Sequence, residues 1–455
     1  MKIEDFKSLL REQMEELEIE RLVAALDQGA QPTSIRVNPH KPYPAPEGRE
    51  VEWCGWGRYL DERPSFTRDG LFQAGAYYVQ EAASMFVGHI LRSALGEEIP
   101  AGLRVLDMCA APGGKSTLYS SIVGDRGLVV ANEVIRNRAL TLADNALRWG
   151  VGNMVVTSND PSHFASSLVE WFDVVAVDAP CSGEGMFRKS EESRENWSLD
   201  NVRLCAARQR RIMADAWESL RPGGLFIYST CTFNRDENES NMEWLCQEFE
   251  CERVSVECPE EWGIVRTEAA EAECFHFYPH RTEGEGLFAA VVRKGGEGGR
   301  RRNPKARRNP FGEVEPKQRK VLAAMLEGSA EDWHFATIGE SLYGYRRELW
   351  EDVRCVSEQM SVLFSGVKMG EIFGKKFKPD HSLALSKWLR RESFPCYELS
   401  EEELQRYLHR EELGCVSELT EGVNLLLWRG CPVGFIKRIG GRTNTMLPKE
   451  FRIFI

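Results

Sequence analysis

The chain has 455 residues, of which 42% are hydrophobic and 28% charged, and its formal net charge at pH 7 is −12. One hydrophobic core seldom grows beyond about 250–300 residues, so we expect two to four domains in an ordinary globular protein. No apolar run reaches the ~18 residues of a transmembrane helix, and the 13 cysteines contain no C-x-x-C pair. These features argue against a membrane partner, a disulfide framework and a metal site, and they favour the cytoplasm.

The net negative charge opposes binding to nucleic acid, but the basic residues are unevenly distributed. Residues 293–308 contain eight Lys and Arg and a single Glu, and the chain after Cys431 is basic again. Since local patches decide whether phosphate is attracted, the total charge is weak evidence in either direction.

Residues 1–97 form the first predicted segment, which begins with a helical pattern of apolar residues and ends in an aromatic-rich stretch. Two interpretations are open for Arg36 and Asn38, namely contact with nucleic acid or a plain turn that starts at Asn-Pro. Tyr77 and Tyr78 likewise either stack on a base or fill a core.

Residues 98–294 alternate between strand-like and helix-like runs, as in a doubly wound sheet. The predicted strands are residues 103–107, 128–132, 154–157, 174–177 and 225–229. The predicted helices are residues 115–123, 136–149 and 204–220. The pattern predicts an α/β fold of the Rossmann type, with a doubly wound, mostly parallel sheet and helices on both faces.

The rest of the chain divides into three predicted segments. Residues 295–316 are rich in glycine and arginine and indicate a basic linker. Residues 317–380 indicate a small mixed module. In residues 381–455 short strands alternate with turns, which predicts a small β-rich module at the C-terminal end.

A glycine-rich turn follows the strand that ends at Asp107. It is neither a Walker loop nor G-x-G-x-x-G, so on its own a plain β-turn-α connection is equally open. Glycines let a ligand approach the backbone, and the start of a helix supplies free N–H groups. The predicted cofactor-binding residues of this turn are Cys109, Ala110, Ala111, Pro112, Gly113, Gly114 and Lys115.

Acidic residues follow the next two predicted strands. Glu133 comes after the second strand and fits ribose hydroxyls, and Asp160 comes after the third and fits an adenine amino group. Each acid alone is more often a helix cap or a solvated charge. Together with the turn, they indicate an adenosine-bearing cofactor. S-adenosylmethionine fits better than NAD because the phosphate-binding glycine triplet is missing.

Two cysteines, Cys181 and Cys231, stand just after predicted strands and are flanked by polar or turn-forming residues. A lone cysteine is usually a small buried hydrophobe, but this pair lies at the edge of the sheet where ligands bind. Addition of a thiolate to C6 of cytosine makes C5 reactive toward a sulfonium methyl group. Such chemistry needs an activated thiol, a base and a group that binds the ring. Asp178 is the candidate ring contact, and Lys115 is the candidate cation near a thiol or the base.

With these motifs assembled, the chain resembles the Sun-domain family of S-adenosylmethionine-dependent RNA (cytosine-5)-methyltransferases. It is most similar to the bacterial small-subunit rRNA methylase F (YebU-like) branch. The resemblance covers about residues 30–294, is looser in the C-terminal module, and is weakest over residues 317–380. It rests on Arg36-Val-Asn38, Tyr77-Tyr-Val-Gln-Glu81, residues 109–115, residues 178–189, Ser229-Thr-Cys-Thr232 and Glu237-Asn-Glu239.

The resemblance implies that Cys231 is the nucleophile and that Cys181 helps to expel the product. It implies cofactor contacts from residues 109–115, Glu133, Asp160 and Asp178. It also implies ribosomal RNA or the small ribosomal subunit as the substrate, with tRNA as the alternative, and RNA-binding roles for the two terminal segments. We expect a monomer. A ribosome-assembly factor that binds RNA without turnover is the other open class, and the intact thiols argue against it.

Overall fold

The residues that the structure describes form a ten-stranded central sheet and three smaller sheets. The computed structural model describes residues 3–28, 31–96, 98–296, 303–373 and 376–454. Within these ranges, no helix is long and apolar enough to cross a membrane.

The described residues before the central sheet form four α-helices and a small sheet. Its elements are α1 (Ile3–Leu10), α2 (Glu16–Gln28), β1 (Thr33–Val37), β2 (Arg49–Val51), β3 (Cys54–Leu60), α3 (Gly70–Gln73), β4 (Tyr77–Val79) and α4 (Phe86–Leu95). The small sheet has the order β2-β3-β1-β4, and all its pairings are antiparallel.

The middle of the chain supplies most of the central sheet. Its first elements are β5 (Arg104–Asp107), α5 (Gly114–Val123), β6 (Leu128–Asn132), α6 (Arg136–Trp149), β7 (Met154–Thr157), α7 (Pro161–Ser167) and β8 (Phe172–Asp178). They are followed by α8 (Glu191–Asn196), α9 (Leu199–Ser219), β9 (Leu220–Thr230), α10 (Glu239–Glu248), β10 (Cys251–Arg253), β11 (Val265–Ala269), β12 (Ala272–Phe277) and β13 (Leu287–Lys294).

The last third of the chain adds two further sheets. One group of elements is β14 (Gly312–Glu313), α11 (Pro316–Ala324), β15 (Trp333–Ile338), β16 (Ser341–Arg346), α12 (Arg347–Gln359), β17 (Val362–Ser365), β18 (Val367–Phe373) and β19 (Lys376–Pro379). The other is α13 (His381–Leu385), β20 (Cys396–Glu398), α14 (Glu401–Leu408), β21 (Gly422–Trp428), β22 (Cys431–Ile439) and β23 (Arg442–Thr445). The β-rich character predicted for the C-terminal segment is thus present.

The central sheet is mixed, which refines the predicted fold. Its middle strands, in the order β9-β8-β5-β6-β7, are parallel to one another. Strands β11, β12 and β13 extend one side and β17 the other, all in antiparallel pairings. The α/β Rossmann-type prediction is confirmed, but the antiparallel extensions make the sheet less parallel than expected. Short hairpin connections such as that between β11 and β12 permit only antiparallel neighbours.

Both faces of the parallel strands are covered by apolar residues and helices. Alternate residues of β5 illustrate this, since Val105 packs into a core with α4 and α5, whereas Leu106 packs into a core with α7, α9 and α12. Strands buried on both faces need continuous apolar runs, which explains why these strands were predictable from the sequence. The predicted helix at 204–220 begins earlier, at Leu199, because Ser198 caps it by accepting from the N–H of Asn201.

The predicted small module at 317–380 shares its packing with the central domain. Strand β17 pairs with β7, and residues of α12 lie in the same core as Leu106. Arg104 of β5 forms an ion pair with Asp352 of α12 at 2.6 Å. The predicted linker has its middle, residues 297–302, outside the described residues, and Asn303 after it accepts from Trp171 Nε1 at 3.1 Å.

Candidate functional site

A tight turn joins β5 to α5 at the carboxyl edge of the parallel strands. Before α5 begins at Gly114, Gly113 adopts a φ of 117°, a conformation that strains any residue with a side chain. A Cβ atom added at Gly113 would lie 3.0 Å from Leu142 of α6. The turn therefore needs glycine at this position, and the first N–H groups of α5 remain without partners inside the helix.

Side chains from α6 hold this turn from behind. Arg138 donates to the carbonyl oxygen of Ala111 at 2.9 Å, and Asn145 donates to that of Pro112 at 2.8 Å. Two carbonyl groups of the turn are thus satisfied by the protein. The free N–H groups at the helix start stay available to a ligand.

Asp107 is a candidate ligand contact that the sequence analysis did not single out. Its side chain is buried, its Oδ2 accepts from Ser116 Oγ at 2.6 Å, and its Oδ1 lacks a hydrogen-bond partner among the described residues. Burial raises the pKa of Asp107 to about 7, although the Ser116 hydrogen bond acts against this. A buried acceptor without a partner fits a donor group on a bound ligand. In the sequence, the only feature that marks Asp107 is its position as the last residue of a strand before a glycine-rich turn.

Glu133 and Asp160 both follow strands at this edge, as the sequence indicated. Glu133 is buried, where its Oε1 accepts from the N–H of Ile135 at 3.0 Å and its Oε2 lies 3.3 Å from Arg138 Nη1. Asp160 is exposed and caps α7, accepting from the N–H of Ser162 at 3.1 Å. The hydrogen bonds from Ser162 lower the pKa of Asp160. Contacts of these acids with ribose and adenine stay predictions.

An ion pair links the glycine-rich turn to the end of β8. Lys115 Nζ lies 2.8 Å from Asp178 Oδ1, which also accepts from Ser229 Oγ at 2.8 Å. Burial lowers the pKa of Lys115, but Asp178, Asp107 and Cys231 together raise it above its usual value. The ammonium group therefore stays charged, and it interacts electrostatically with Cys231.

The two cysteines singled out from the sequence lie side by side. We call residues 179–184, after β8, the first thiol loop and residues 231–238, after β9, the second thiol loop. The Sγ atoms of Cys181 and Cys231 are 3.3 Å apart, and both side chains are half-buried. The hydrogen bond with Cys231 raises the pKa of Cys181 well above its usual value, and burial acts in the same direction. Cys181 therefore keeps its proton, and the two sulfur atoms are close enough to share a hydrogen bond.

Two buried glutamates fasten the thiol loops to each other. Glu184 of the first loop accepts from the backbone N–H of Asn234 in the second loop at 3.1 Å. In return, Glu237 of the second loop accepts from the N–H of Ser182 in the first loop at 2.9 Å. The distance between the two sulfur atoms is therefore set by reciprocal hydrogen bonds rather than by the cysteines alone.

The Asn234 amide completes this network. Its Nδ2 lies 2.9 Å from an oxygen of Glu184 and 2.9 Å from an oxygen of Glu237. Gln209 of α9 donates to Glu237 at 2.7 Å. Burial, with a contribution from Glu184, raises the pKa of Glu237 to about 7. The sequence analysis recognised Glu184 and Glu237 as parts of motifs but missed Asn234 and Gln209, whose only signal was a polar residue close to a cysteine or on a predicted helix.

Arg36, Asn38 and Tyr77 do not form a surface for nucleic acid. Their exposed fractions are 0%, 1% and 1%. Asn38 Nδ2 donates to the carbonyl oxygen of Trp149 at 3.0 Å, so its side chain serves an internal contact. The interpretation of these residues as RNA contacts is wrong, and that of Tyr77 as a core residue is confirmed. Tyr78 is half-buried.

Three family matches cover most of the chain. Residues 98–293 match the family described as 16S rRNA methyltransferase RsmB/F. Residues 3–82 match the N-terminal domain of 16S rRNA methyltransferase RsmF, and residues 386–453 match the methyltransferase RsmF PUA domain.

Individual relatives and solved structures agree with these matches. Ribosomal RNA small subunit methyltransferase F of Klebsiella pneumoniae is 30% identical over 410 residues, which are 88% of this chain and 84% of that protein. The protein of the same name from Shewanella oneidensis is 30% identical over 409 residues, with the same shares of 88% and 84%. A crystal structure of a methyltransferase homolog protein from Pyrococcus horikoshii has a TM-score of 0.51 and 27% identity, covering 63% of this chain and 98% of that one. The structure of NSun6 from Pyrococcus horikoshii with SFG has a TM-score of 0.51 and 19% identity over 64% of this chain and 98% of that one, and supports the fold.

The similarities confirm the methyltransferase fold predicted from the sequence. S-adenosylmethionine, the cofactor indicated by the turn and the acids after it, is the cofactor of this methyltransferase. The chain belongs to the ribosomal RNA small subunit methyltransferase F family.

Proposed function

We propose that this protein transfers a methyl group from S-adenosylmethionine to C5 of a cytosine in small-subunit ribosomal RNA, through a covalent bond between Cys231 and C6 of the base. The observation that carries the proposal is the 3.3 Å contact between the sulfur atoms of Cys181 and Cys231. Lys115, which directly follows Gly114 of the turn, pairs with Asp178 and interacts electrostatically with Cys231. Two adjacent thiols suit a reaction in which one sulfur attacks and the other assists release.

The residues at the carboxyl edge of the sheet fit S-adenosylmethionine. The unpartnered Oδ1 of Asp107 is an acceptor for an ammonium group. Val134 and Ile135, directly after Glu133, are apolar but 51% and 55% exposed, which suits a surface covered by a flat ring. When bound, the cofactor supplies a methyl group activated on a sulfonium. We assign to it the residues Cys109, Ala110, Ala111, Pro112, Gly113, Gly114, Lys115, Glu133, Asp160 and Asp178.

In the first step, the Cys231 thiolate attacks C6 of the cytosine. The S–C6 bond forms, and the electron pair of the C5–C6 double bond moves into the ring, which makes C5 nucleophilic. The ammonium of Lys115 interacts electrostatically with Cys231, and a nearby positive charge is what a nucleophilic thiol requires. We assign Asp178 to accept a hydrogen bond from the exocyclic amine, which orients the ring.

Product release requires loss of the C5 proton and cleavage of the S–C6 bond. We assign Cys181, as a thiolate, to take this proton, so that the C5–C6 double bond forms again and Cys231 leaves with the electron pair of the broken bond. While Cys231 is bonded to carbon, it is a neutral thioether. The hydrogen bond with the Cys231 sulfur, which raises the pKa of Cys181, is then weakened, so Cys181 releases its proton to solvent more readily at this stage.

The RNA must present an unstacked cytosine, which costs a few kcal/mol. Contacts with phosphate groups supply such free energy in RNA-binding proteins. In the C-terminal module Arg442, Lys449 and Arg452 are exposed. We propose that this module binds the RNA around the target, together with the exposed face of residues 1–97. Cytoplasmic location and a monomeric state stay predictions.

Bisulfite sequencing of RNA tests the proposal. A strain that lacks the protein should lose at least one 5-methylcytosine of small-subunit rRNA, and the wild-type gene should restore it. Cys231→Ala should not restore it, whereas Cys396→Ala, which alters an exposed cysteine of β20, should.

The same experiment distinguishes the alternatives. Restoration by Cys231→Ala would remove the nucleophile assignment. Loss of methylation in tRNA instead of rRNA would change the substrate, and loss at no position would favour an assembly factor.

A further inference from the structure

A buried arginine connects the N-terminal sheet to the glycine-rich turn. Arg36 of β1 is 0% exposed, and its Nε donates to Gln80 Oε1 at 2.7 Å. Its Nη2 donates to Thr117 Oγ1 at 2.6 Å and to the carbonyl oxygen of Gly114 at 3.2 Å. Both acceptors belong to the first turn of α5. One side chain from outside the central domain thus fixes the start of this helix.

The hydrogen bonds continue from Arg36 into the turn itself. The Thr117 hydroxyl accepts from Arg36 and donates to the carbonyl oxygen of Gly113 at 2.7 Å. Gly113 is the residue in the left-handed conformation, which the backbone needs to enter the helix. The chain of contacts therefore ends at the position where the turn is most restricted.

The charge of Arg36 is compensated without a carboxylate. Over the described ranges Arg36 forms no ion pair, and its Nη1 lacks a hydrogen-bond partner. Its guanidinium carbon lies 4.5 Å from the centroid of the Trp149 ring, at the end of α6. Burial lowers the pKa of Arg36 only to about 10, so the group stays charged at neutral pH. Burial of a cation is costly, and the aromatic face and the neutral acceptors on α5 offset that cost.

We propose that Arg36 is a positioning residue for the cofactor, which holds Gly114 and Thr117 so that the glycine-rich turn keeps its ligand-binding conformation. The inference rests on the proposed role of that turn as the S-adenosylmethionine site. Arg36 also makes the N-terminal sheet and the turn one rigid unit. A lysine cannot replace it, because one ammonium group cannot bond Gln80 and α5 while stacking on Trp149.

Two substitutions test this role at different points of the contact chain. Arg36→Lys keeps the charge but loses the planar group, and Thr117→Val removes only the hydroxyl. The matched control is Arg104→Lys, which alters a buried arginine that stacks on Trp171 at 4.1 Å but lies at the opposite end of β5.

The measurements are the S-adenosylmethionine Kd by calorimetry, the Kd for an rRNA fragment, and hydrogen exchange in residues 109–118 of the cofactor-free protein. We expect Arg36→Lys to raise the cofactor Kd about tenfold, the loss of roughly one buried hydrogen bond, with the RNA Kd unchanged. Exchange in residues 109–118 should rise. Thr117→Val should change both quantities in the same direction by less, and Arg104→Lys should change neither.

The outcomes separate this inference from the proposed function. If the wild-type protein does not bind S-adenosylmethionine, the proposed function fails and the inference fails with it. If the wild-type protein binds but neither variant changes the cofactor Kd or the exchange, only the positioning role is overturned. A weaker RNA Kd with an unchanged cofactor Kd also overturns it. If Arg36→Lys does not fold, Thr117→Val alone decides, since valine has nearly the same shape as threonine.

Discussion

The Sγ atom of Cys181 lies 3.3 Å from the Sγ atom of Cys231, although fifty positions separate the two residues. Their strands are direct neighbours in the sheet, and Asp178 at the end of β8 is in register with Ser229 near the end of β9. Each cysteine follows its strand within a few residues. Parallel pairing therefore brings the thiols to one edge, and the buried glutamates of the thiol loops set the final distance.

The first prediction concerns the covalent intermediate. In Cys181→Ala the sulfur that attacks remains, but the thiol that assists release is gone. We expect turnover to fall by about 10²–10⁴-fold, the usual effect of losing a general acid or base. The protein should accumulate as an RNA adduct that survives denaturing electrophoresis, when it is incubated with substrate RNA and S-adenosylmethionine.

The double variant Cys181→Ala/Cys231→Ala is the control for this adduct. It should form none, because the attacking sulfur is absent. An adduct in the double variant, or one that persists in Cys231→Ala alone, would contradict the assigned roles.

A second prediction tests the distance between the thiols without any substrate. A disulfide bond is about 2.05 Å long, so the sulfur atoms need only a small approach to form one. Diamide, which removes two hydrogen atoms from a pair of thiols, should link Cys181 to Cys231. Peptide mapping by mass spectrometry should find this link, and methylation should be lost until dithiothreitol is added.

Cys181→Ser is the control for oxidation and should give no such link. The exposed Cys396 reports that the oxidant has reached the protein. Modification at Cys396 without a link between Cys181 and Cys231 would show that the sulfur atoms are farther apart than the structure has them.

The parallel strands could be predicted because each is an apolar run buried on both faces. Strand β17 could not be assigned to this sheet, since its partner β7 lies about two hundred residues earlier and an apolar run does not specify its partner. The same limit applies to the boundaries of the segment at 317–380, which shares its core with the central domain.

The site residues that could be found from the sequence are those whose residue type is unusual for their position. They are the glycines of the turn and the two cysteines among polar neighbours. The RNA-contact interpretation left open for Arg36 is wrong because Arg36 is buried, and a charged residue is rarely buried. Its acceptors on α5 are about eighty residues away in the chain. The sequence did not single out Asp107, because an acidic residue at the end of a strand is common and does not by itself indicate a ligand site.

A third prediction concerns the network under the thiols. Each carboxylate oxygen of Glu237 accepts a hydrogen bond, one from the N–H of Ser182 and the other from Asn234 Nδ2. Glu237→Gln replaces one of these oxygens by an NH2 group, which is a donor and therefore faces another donor. The thiol loops should shift, and a misplacement of about 1 Å costs roughly 10²-fold in rate. We expect kcat to fall by about that factor while the S-adenosylmethionine Kd stays unchanged, measured by methyl transfer and calorimetry.

Glu239→Gln is the matched control for Glu237→Gln. Glu239 is also buried and lies two residues farther on, but it bonds His276 at 2.8 Å instead of the first thiol loop. Its variant should keep kcat within about twofold. Equal losses in both variants would assign the effect to general destabilisation.

The last prediction uses the buried carboxyl group of Asp107. Its pKa of about 7 in the folded protein lies above the value of 3.8 for a free aspartate, because burial disfavours the charge. The contribution of this group to stability is therefore complete below about pH 4, and it is lost as the pH rises toward 7. Between pH 5 and pH 8 the loss is on the order of 2–3 kcal/mol. Asp107→Asn removes the ionisation, so its melting temperature should fall less over this interval than that of the wild type, by several degrees. The comparison is made without cofactor, and the amide of the variant adds an offset that does not depend on pH. Parallel melting curves for the two proteins from pH 5 to pH 8 would contradict a raised pKa at this position.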